Sequence, residues 1–249
     1  MQLKKRSSRR FSLIALAAAA AMLLAGWSGG VLAARPGTSD YVFSDLKGHW
    51  AAKEMQELAF MGFLRGDGTG RLRPDQPVTR AEFTCLLVRV QELAPSPEQV
   101  LPVDVSPQSW YHGEIQSAFR NGLAAGRPDG LFYPEQGLTR AEAAALLVRG
   151  LQGQPAEDDS SGWEGADQAG SSSYRDVAPG FWALPCIEEG RAKGIISGFP
   201  DQTFRPNKET TRAEAAVLIY RLLQLLEPEK PADLVKTVIA GEKEAVKAV

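Results

Sequence analysis

Three stretches of the chain share one spacing of apolar positions. In the first, Ala51, Met55, Leu58 and Gly62 follow Trp50 by 1, 5, 8 and 12 residues, the spacing of one helix face. Similar apolar or small positions follow Trp110 and Trp182. Each stretch runs into a glycine-bounded segment, such as Gly122-Leu123-Ala124-Ala125-Gly126 or Gly194-Ile195-Ile196-Ser197-Gly198. Glycine there supplies the left-handed conformation that stops a helix. Turn chemistry follows, as Arg127-Pro128-Asp129-Gly130 and Phe199-Pro200-Asp201-Gln202, and Phe132 and Phe204 offer the loop an apolar plug. A second helical pattern, rich in Ala and Leu, then extends to about Val90, Leu151 and Leu226. The reading is helix, loop, helix, three times over: an all-α chain.

The register between the three units is rigid. Trp50, Trp110 and Trp182 each precede a Thr-Arg-Ala-Glu tetrapeptide by 29 residues, counted to the Thr. Gly66, Gly126 and Gly198 each lie 16 residues after the Trp, and Pro74, Pro134 and Pro206 lie 8 after the Gly. An Asp comes shortly before each Trp: Asp45, Asp104 and Asp176. Gap-free spacing of this kind marks three copies of one supersecondary unit. The units fall at residues 43–93, 103–151 and 174–226. At roughly 50 residues each, one unit has too little core to stand alone, and three share one. Ala94-Pro95-Ser96-Pro97 joins the first two. Residues 152–173, rich in Ser, Gly and acid, read as a mobile linker. Residues 227–249 form a tail in which Leu234, Val235, Val238 and Ile239 fit a short amphipathic helix, a place for a protein partner.

The tetrapeptide has a structural reading in two of its letters. Thr at a helix N-cap accepts a backbone N–H, and Glu three residues on reaches back to the cap, the capping box. Thr79/Glu82, Thr139/Glu142 and Thr211/Glu214 therefore start the second helices. The Arg stands at the first helical position, where the helix dipole mildly disfavours a cation. Two roles stay open for Arg80, Arg140 and Arg212. One is anion binding beside free helix N–H groups, where the guanidinium adds a planar two-pronged donor. The other is packing, or pairing with an acid of a neighbouring unit. The Trp beside each helix start is either core or a flat face for a sugar ring.

The ends and the charge narrow the classes. Residues 1–33 hold a basic stretch (Lys4, Lys5, Arg6, Arg9, Arg10), an apolar run and a Val31-Leu32-Ala33 cleavage site, the pattern of a secretory signal peptide. Trp27 stands where a lipidated Cys would be needed. Cleavage takes the 28 Lys and Arg to 23 against 30 Asp and Glu, so no nucleic-acid partner is expected, and no further run is apolar enough to span a membrane. Cys85 and Cys186 lie on apolar helical patterns and read as buried free thiols, with a single bridge the alternative in an oxidising compartment.

The residues so far resemble the S-layer homology domain family. The match lies in Asp-Val/Leu, Trp-Ala, Gly-Ile-Ile-Ser-Gly-Phe-Pro-Asp with Phe-x-Pro, and Thr-Arg-Ala-Glu. Residues 175–226 are the closest copy, and three copies cover most of the mature chain. The resemblance implies a pseudo-three-fold trimer within one chain, around a central three-helix bundle with grooves between units. It also implies a secreted module held non-covalently to the bacterial wall. The implied ligand is a secondary cell-wall polysaccharide with a pyruvate ketal on a terminal N-acetylmannosamine, or else peptidoglycan. Carried over, Arg80, Arg140 and Arg212 meet the pyruvate carboxylate, and Gly66, Gly126 and Gly198 let the sugar approach the backbone. Trp50, Trp110 and Trp182, with Asp45, Asp104 and Asp176, shape the groove. Repeat one departs from the pattern: it has Gly66-Asp67-Gly68-Thr69-Gly70 for the Pro-Asp turn and Leu72 for the Phe. An altered, weaker groove is expected there.

Two other classes compete. A carbohydrate-active enzyme would need paired acids with fixed geometry. The chain has only His49 and His112, no metal-ligand cluster, and linker acids (Glu157, Asp158, Asp159) that read as solvated. No catalytic residue, metal or cofactor is expected. A self-assembling surface protein is the other alternative.

Overall fold

A computed structural model describes residues 43–94, 100–152 and 171–226. The expected signal peptide at 1–33, most of the 152–173 segment read as a linker and the 227–249 tail lie outside the described residues. Six α-helices occur among those described: α1 (Ala52–Phe60), α2 (Arg80–Val90), α3 (His112–Arg120), α4 (Arg140–Gln152), α5 (Leu184–Ala192) and α6 (Arg212–Leu226). No strand is found among these residues, and no helix is long and apolar enough to cross a membrane. The all-α reading holds, and the second helices end within a residue of where the pattern placed them.

The local chemistry acts as read. Gly62, Gly122 and Gly194 follow the first helices at φ of 78°, 67° and 72°, the left-handed conformation that ends them. In all three capping boxes the Glu backbone N–H donates to the Thr hydroxyl and the Thr N–H donates to the Glu carboxylate. Phe132 and Phe204 are buried plugs, and Leu72 takes that place in repeat one.

The two helix types pack differently. α1, α3 and α5 each bury one face, such as Ala52, Met55 and Leu58 in α1. α2 and α4 are buried nearly all round, as expected of central helices; in α4 every residue from Ala143 to Arg149 is buried. The main pairings join different repeats: α3 packs on α2, α5 on α4 and α1 on α6, while α2 also meets α4 and α6. Each repeat thus lends its first helix to the second helix of another, closing a cycle.

Backbone hydrogen bonds follow the same cycle. Val78 donates to the Thr210 carbonyl at 2.9 Å, Thr210 to Leu138 at 2.8 Å and Leu138 to Val78 at 3.0 Å. The first N–H of each second helix donates to the loop of another repeat: Arg80 to Gln136, Arg140 to Lys208 and Arg212 to Gln76. The second does likewise, from Ala81 to Pro134, Ala141 to Pro206 and Ala213 to Pro74. Helix starts have N–H groups without intrahelical partners, and here neighbouring loops use them.

Candidate functional site

Those bonds correct one expectation. The helix starts at Arg80, Arg140 and Arg212 are not free anion sites, because the first two N–H groups go to a neighbouring repeat and the third to the capping Thr. Any anion chemistry rests on side chains.

The three arginines reach across the same seams. Arg212 donates to the Leu72 carbonyl (2.9 Å), the Arg65 carbonyl (3.2 Å) and the Glu82 carboxylate (2.9 Å). Arg140 donates to the Phe204 and Ser197 carbonyls and lies 3.8 Å from Glu214. Arg80 reaches the Ala125 carbonyl at 3.4 Å and lies 3.8 Å from Glu142. Each Arg thus meets the loop and the capping Glu of the following repeat. The open choice at the sequence level has an answer in part: the guanidinium does pair with a neighbour's acid, and that acid is the capping Glu.

Their exposure differs. Arg80 is 1% exposed, with its guanidinium over the Phe132 ring at 4.8 Å. Burial pushes its pKa down to about 10, against the opposing charge of Glu142, so it stays a cation at neutral pH. Arg140 lies 4.8 Å from both Phe199 and Phe204 rings, and burial lowers its pKa as well. Arg212 faces no aromatic plug, because Leu72 stands where the other repeats have Phe. It opens instead into a cleft of about 540 Å³.

This cleft belongs to the repeat whose groove was expected to be altered. It gathers three of the twelve residues named from the sequence: Gly66, Trp110 and Arg212. Trp110 is 59% exposed, a large apolar face left at the rim. Phe63, Leu64, Leu72 and Leu86 supply an apolar lining. Arg65, Arg71, Arg73 and Arg89 also line it, against the acids Asp67 and Glu82, so the cleft is strongly positive in a chain of net charge −2. These four arginines escaped the repeat alignment because it looked for what the copies share. Three lie within residues 65–73, a local density seen in no other repeat.

The other repeats carry larger side chains at the position of Asp67, Arg127 and Phe199. In repeat two Arg127 donates to Glu142 at 2.6 Å and lies over the Tyr133 ring. In repeat three Phe199 lies beneath Arg205 at 4.0 Å and near Arg140. The Trps differ as well. Trp182 is half-buried against Ala145, Val148 and Cys186, whereas Trp50 is 64% exposed.

The Asp and Gly residues have local duties. Asp45 accepts from the N–H groups of Leu72 and Arg73, Asp104 from Phe132 and Tyr133, and Asp176 from Phe204 and Arg205. The second residue of each pair is left-handed without being glycine, at φ of 52°, 59° and 58°. The carboxylate clamps that strained corner. A Cβ on Gly66 would lie 2.9 Å from the Arg71 carbonyl, and one on Gly198 would collide with the Tyr174 ring. At Gly126 the nearest atom would be 3.5 Å away. Cys85 and Cys186 are buried free thiols, pushed up to about 12 by burial.

Comparison with known proteins follows the same repeats. The family model described as the S-layer homology domain matches residues 42–84, 103–144 and 173–216. An amylopullulanase of Thermoanaerobacterium thermosulfurigenes is 30% identical over 187 residues, which is 74% of this chain and 10% of that protein. A cellulosome-anchoring protein of Acetivibrio thermocellus is 33% identical over 166 residues, or 65% of this chain and 35% of the relative. An outer membrane protein SlpA of Thermus thermophilus is 55% identical over 60 residues, covering 24% of this chain and 6% of the relative. The chain spans about a third or less of each relative's length.

Proposed function

Because this chain belongs to the S-layer homology domain family, we propose that it is a non-covalent wall-anchoring module of a secreted, cell-surface protein. Its ligand is an anionic secondary cell-wall polysaccharide, and the cleft of repeat one is where that ligand docks. The observation that carries the reading is the cleft itself: five arginines and an exposed Trp110 around a partly apolar lining. An amine-modified peptidoglycan would bring positive charge into a positive cleft. A carboxylate-bearing sugar brings the complementary sign. The sugar ring stacks on Trp110 and a pyruvyl carboxylate points to Arg212, whose guanidinium is already oriented by two carbonyls and Glu82. The relatives' names support the setting, since they include a cellulosome-anchoring protein and a surface-layer protein. Those named as enzymes match over a small share of their own length, which fits an anchor attached to separate catalytic parts.

Co-sedimentation tests this. The purified protein is mixed with wall sacculi, either intact or stripped of secondary polymer by acid. Binding to intact walls alone, lost in Trp110→Ala, is the expected result. Equal binding to stripped walls would assign the ligand to peptidoglycan and end the polysaccharide reading.

A further inference from the structure

Arg65 and Arg71 make the first cleft unlike its counterparts. The equivalent positions are Ala125 and Leu131 in repeat two, and Ser197 and Thr203 in repeat three. The cleft's other arginines are each answered by an acid: Arg212 by Glu82, Arg73 by Asp67 and Arg89 by Glu114. Arg65 and Arg71 line the same cleft, are exposed, and enter no ion pair among the described residues. Two cations without an acid of their own leave the cleft a surplus of positive charge that attracts an anion.

A single carboxylate held at Arg212 leaves both unanswered. We propose that the cleft recognises a glycan segment bearing two anionic groups, the second being a uronic carboxylate or a phosphate gripped by Arg65 and Arg71. This rests on the anchoring reading above and sharpens its ligand. The backbone under both arginines is fixed: the Arg65 carbonyl accepts from Arg212 at 3.2 Å, and the Arg71 carbonyl accepts from the Asp67 N–H at 3.0 Å. Their stems therefore start from anchored positions, which lowers the ordering cost of binding. Two guanidinium forks on one cleft suit either kind of oxyanion.

Calorimetric titration with three synthetic disaccharides tests this. Each has a terminal 4,6-O-pyruvyl-N-acetylmannosamine, joined to glucose, to glucuronic acid or to glucose 6-phosphate. One or both acidic forms should bind about tenfold tighter than the neutral one at low salt, and whichever gains identifies the second group. The advantage should fade at high ionic strength. It should vanish in the Arg65→Ala/Arg71→Ala variant, with Tm preserved. Equal affinities for all three disaccharides in the unmodified protein overturn the second-anion proposal alone, as does an advantage that survives the double substitution. Failure of all three to bind overturns the pyruvyl reading and this proposal with it.

Discussion

Repeat one and repeat three carry the same Thr-Arg-Ala-Glu frame but present opposite surfaces at the seam. In repeat three Phe204 and Phe199 flank Arg140, and Phe199 also lies under Arg205. In repeat one Leu72 cannot stack flat on Arg212, and Asp67 turns back to Thr69 and Arg73 instead of crossing the seam. The result is an open cleft beside Trp110. The backbone bonds that tie the repeats together are the same in both. One shared frame therefore serves assembly, and two side-chain positions, 67/199 and 72/204, decide whether a seam is filled or open. A departure from the repeat pattern here changes the surface of the seam within an unchanged scaffold.

The largest expected effect separates the two exposed Trps. Trp110→Ala should weaken wall binding by about 2 kcal/mol or more, some thirtyfold, as for a central aromatic contact. Trp50 is equally exposed and stands at the helix start of repeat one, and Trp50→Ala should leave binding within twofold. Equilibrium pull-down on sacculi measures both. Equal losses would mean that exposure of the Trp, and not openness of the cleft, determines binding.

Next come the glycines. Gly198→Ala pushes a methyl into the Tyr174 ring and places it 2.7 Å from the Thr203 carbonyl, and should destabilise by about 2 kcal/mol. Gly126→Ala meets ordinary contact at 3.5 Å and should change stability by less than about 0.5 kcal/mol. Urea denaturation of both variants decides it. Equal costs would show that the loops of repeats two and three are under the same constraint.

Much of the scaffold was legible because it is local. Helical spacing, glycine stops and capping boxes are written within a few residues, and the second helices begin at Arg80, Arg140 and Arg212 as read. What escaped was long-range. Nothing in a gap-free repeat says that α3 packs on α2, and not on the second helix of its own unit. Nor could the pattern reveal that helix-start N–H groups are consumed by other loops. At the site, Trp110 and Arg212 were named, while Arg65 and Arg71 were passed over because they break the repeat. The alignment that found the fold was blind to the residues that distinguish one seam from another.

The capping boxes are a control on the comparison. Thr79→Ala and Thr139→Ala remove the same kind of bond, at 3.2 and 3.3 Å; Thr79 lines the open cleft and Thr139 does not. Each should cost about 1 kcal/mol. Matching values from urea denaturation confirm that the scaffold is equivalent in both repeats. A much smaller cost for Thr79→Ala would mean that the open seam has also loosened the helix start.

The smallest effect is on acid stability. The Thr203 hydroxyl donates to Asp201 at 2.6 Å and lowers its pKa to about 2. In repeat one the Thr69 hydroxyl and backbone, with Arg73, hold Asp67 even further below the usual carboxylate range. Both folded pKa values lie below the unfolded one. Their contribution is therefore complete above the ordinary carboxylate pKa and is lost as pH falls below about 4 toward the folded values. Both groups are solvated, so the slope should be shallow. Denaturation between pH 5 and 2.5 should show a flatter acid limb in Asp67→Asn and Asp201→Asn than in the unmodified protein. Because Asp67 is held further down, at the lowest pH of that range its stabilising contribution should outlast that of Asp201. If Asp67→Asn and Asp201→Asn cost the same stability at the lowest pH, the two loops hold their carboxylates equally, each through its Thr and its Arg, Arg73 at 2.7 Å and Arg205 at 3.2 Å.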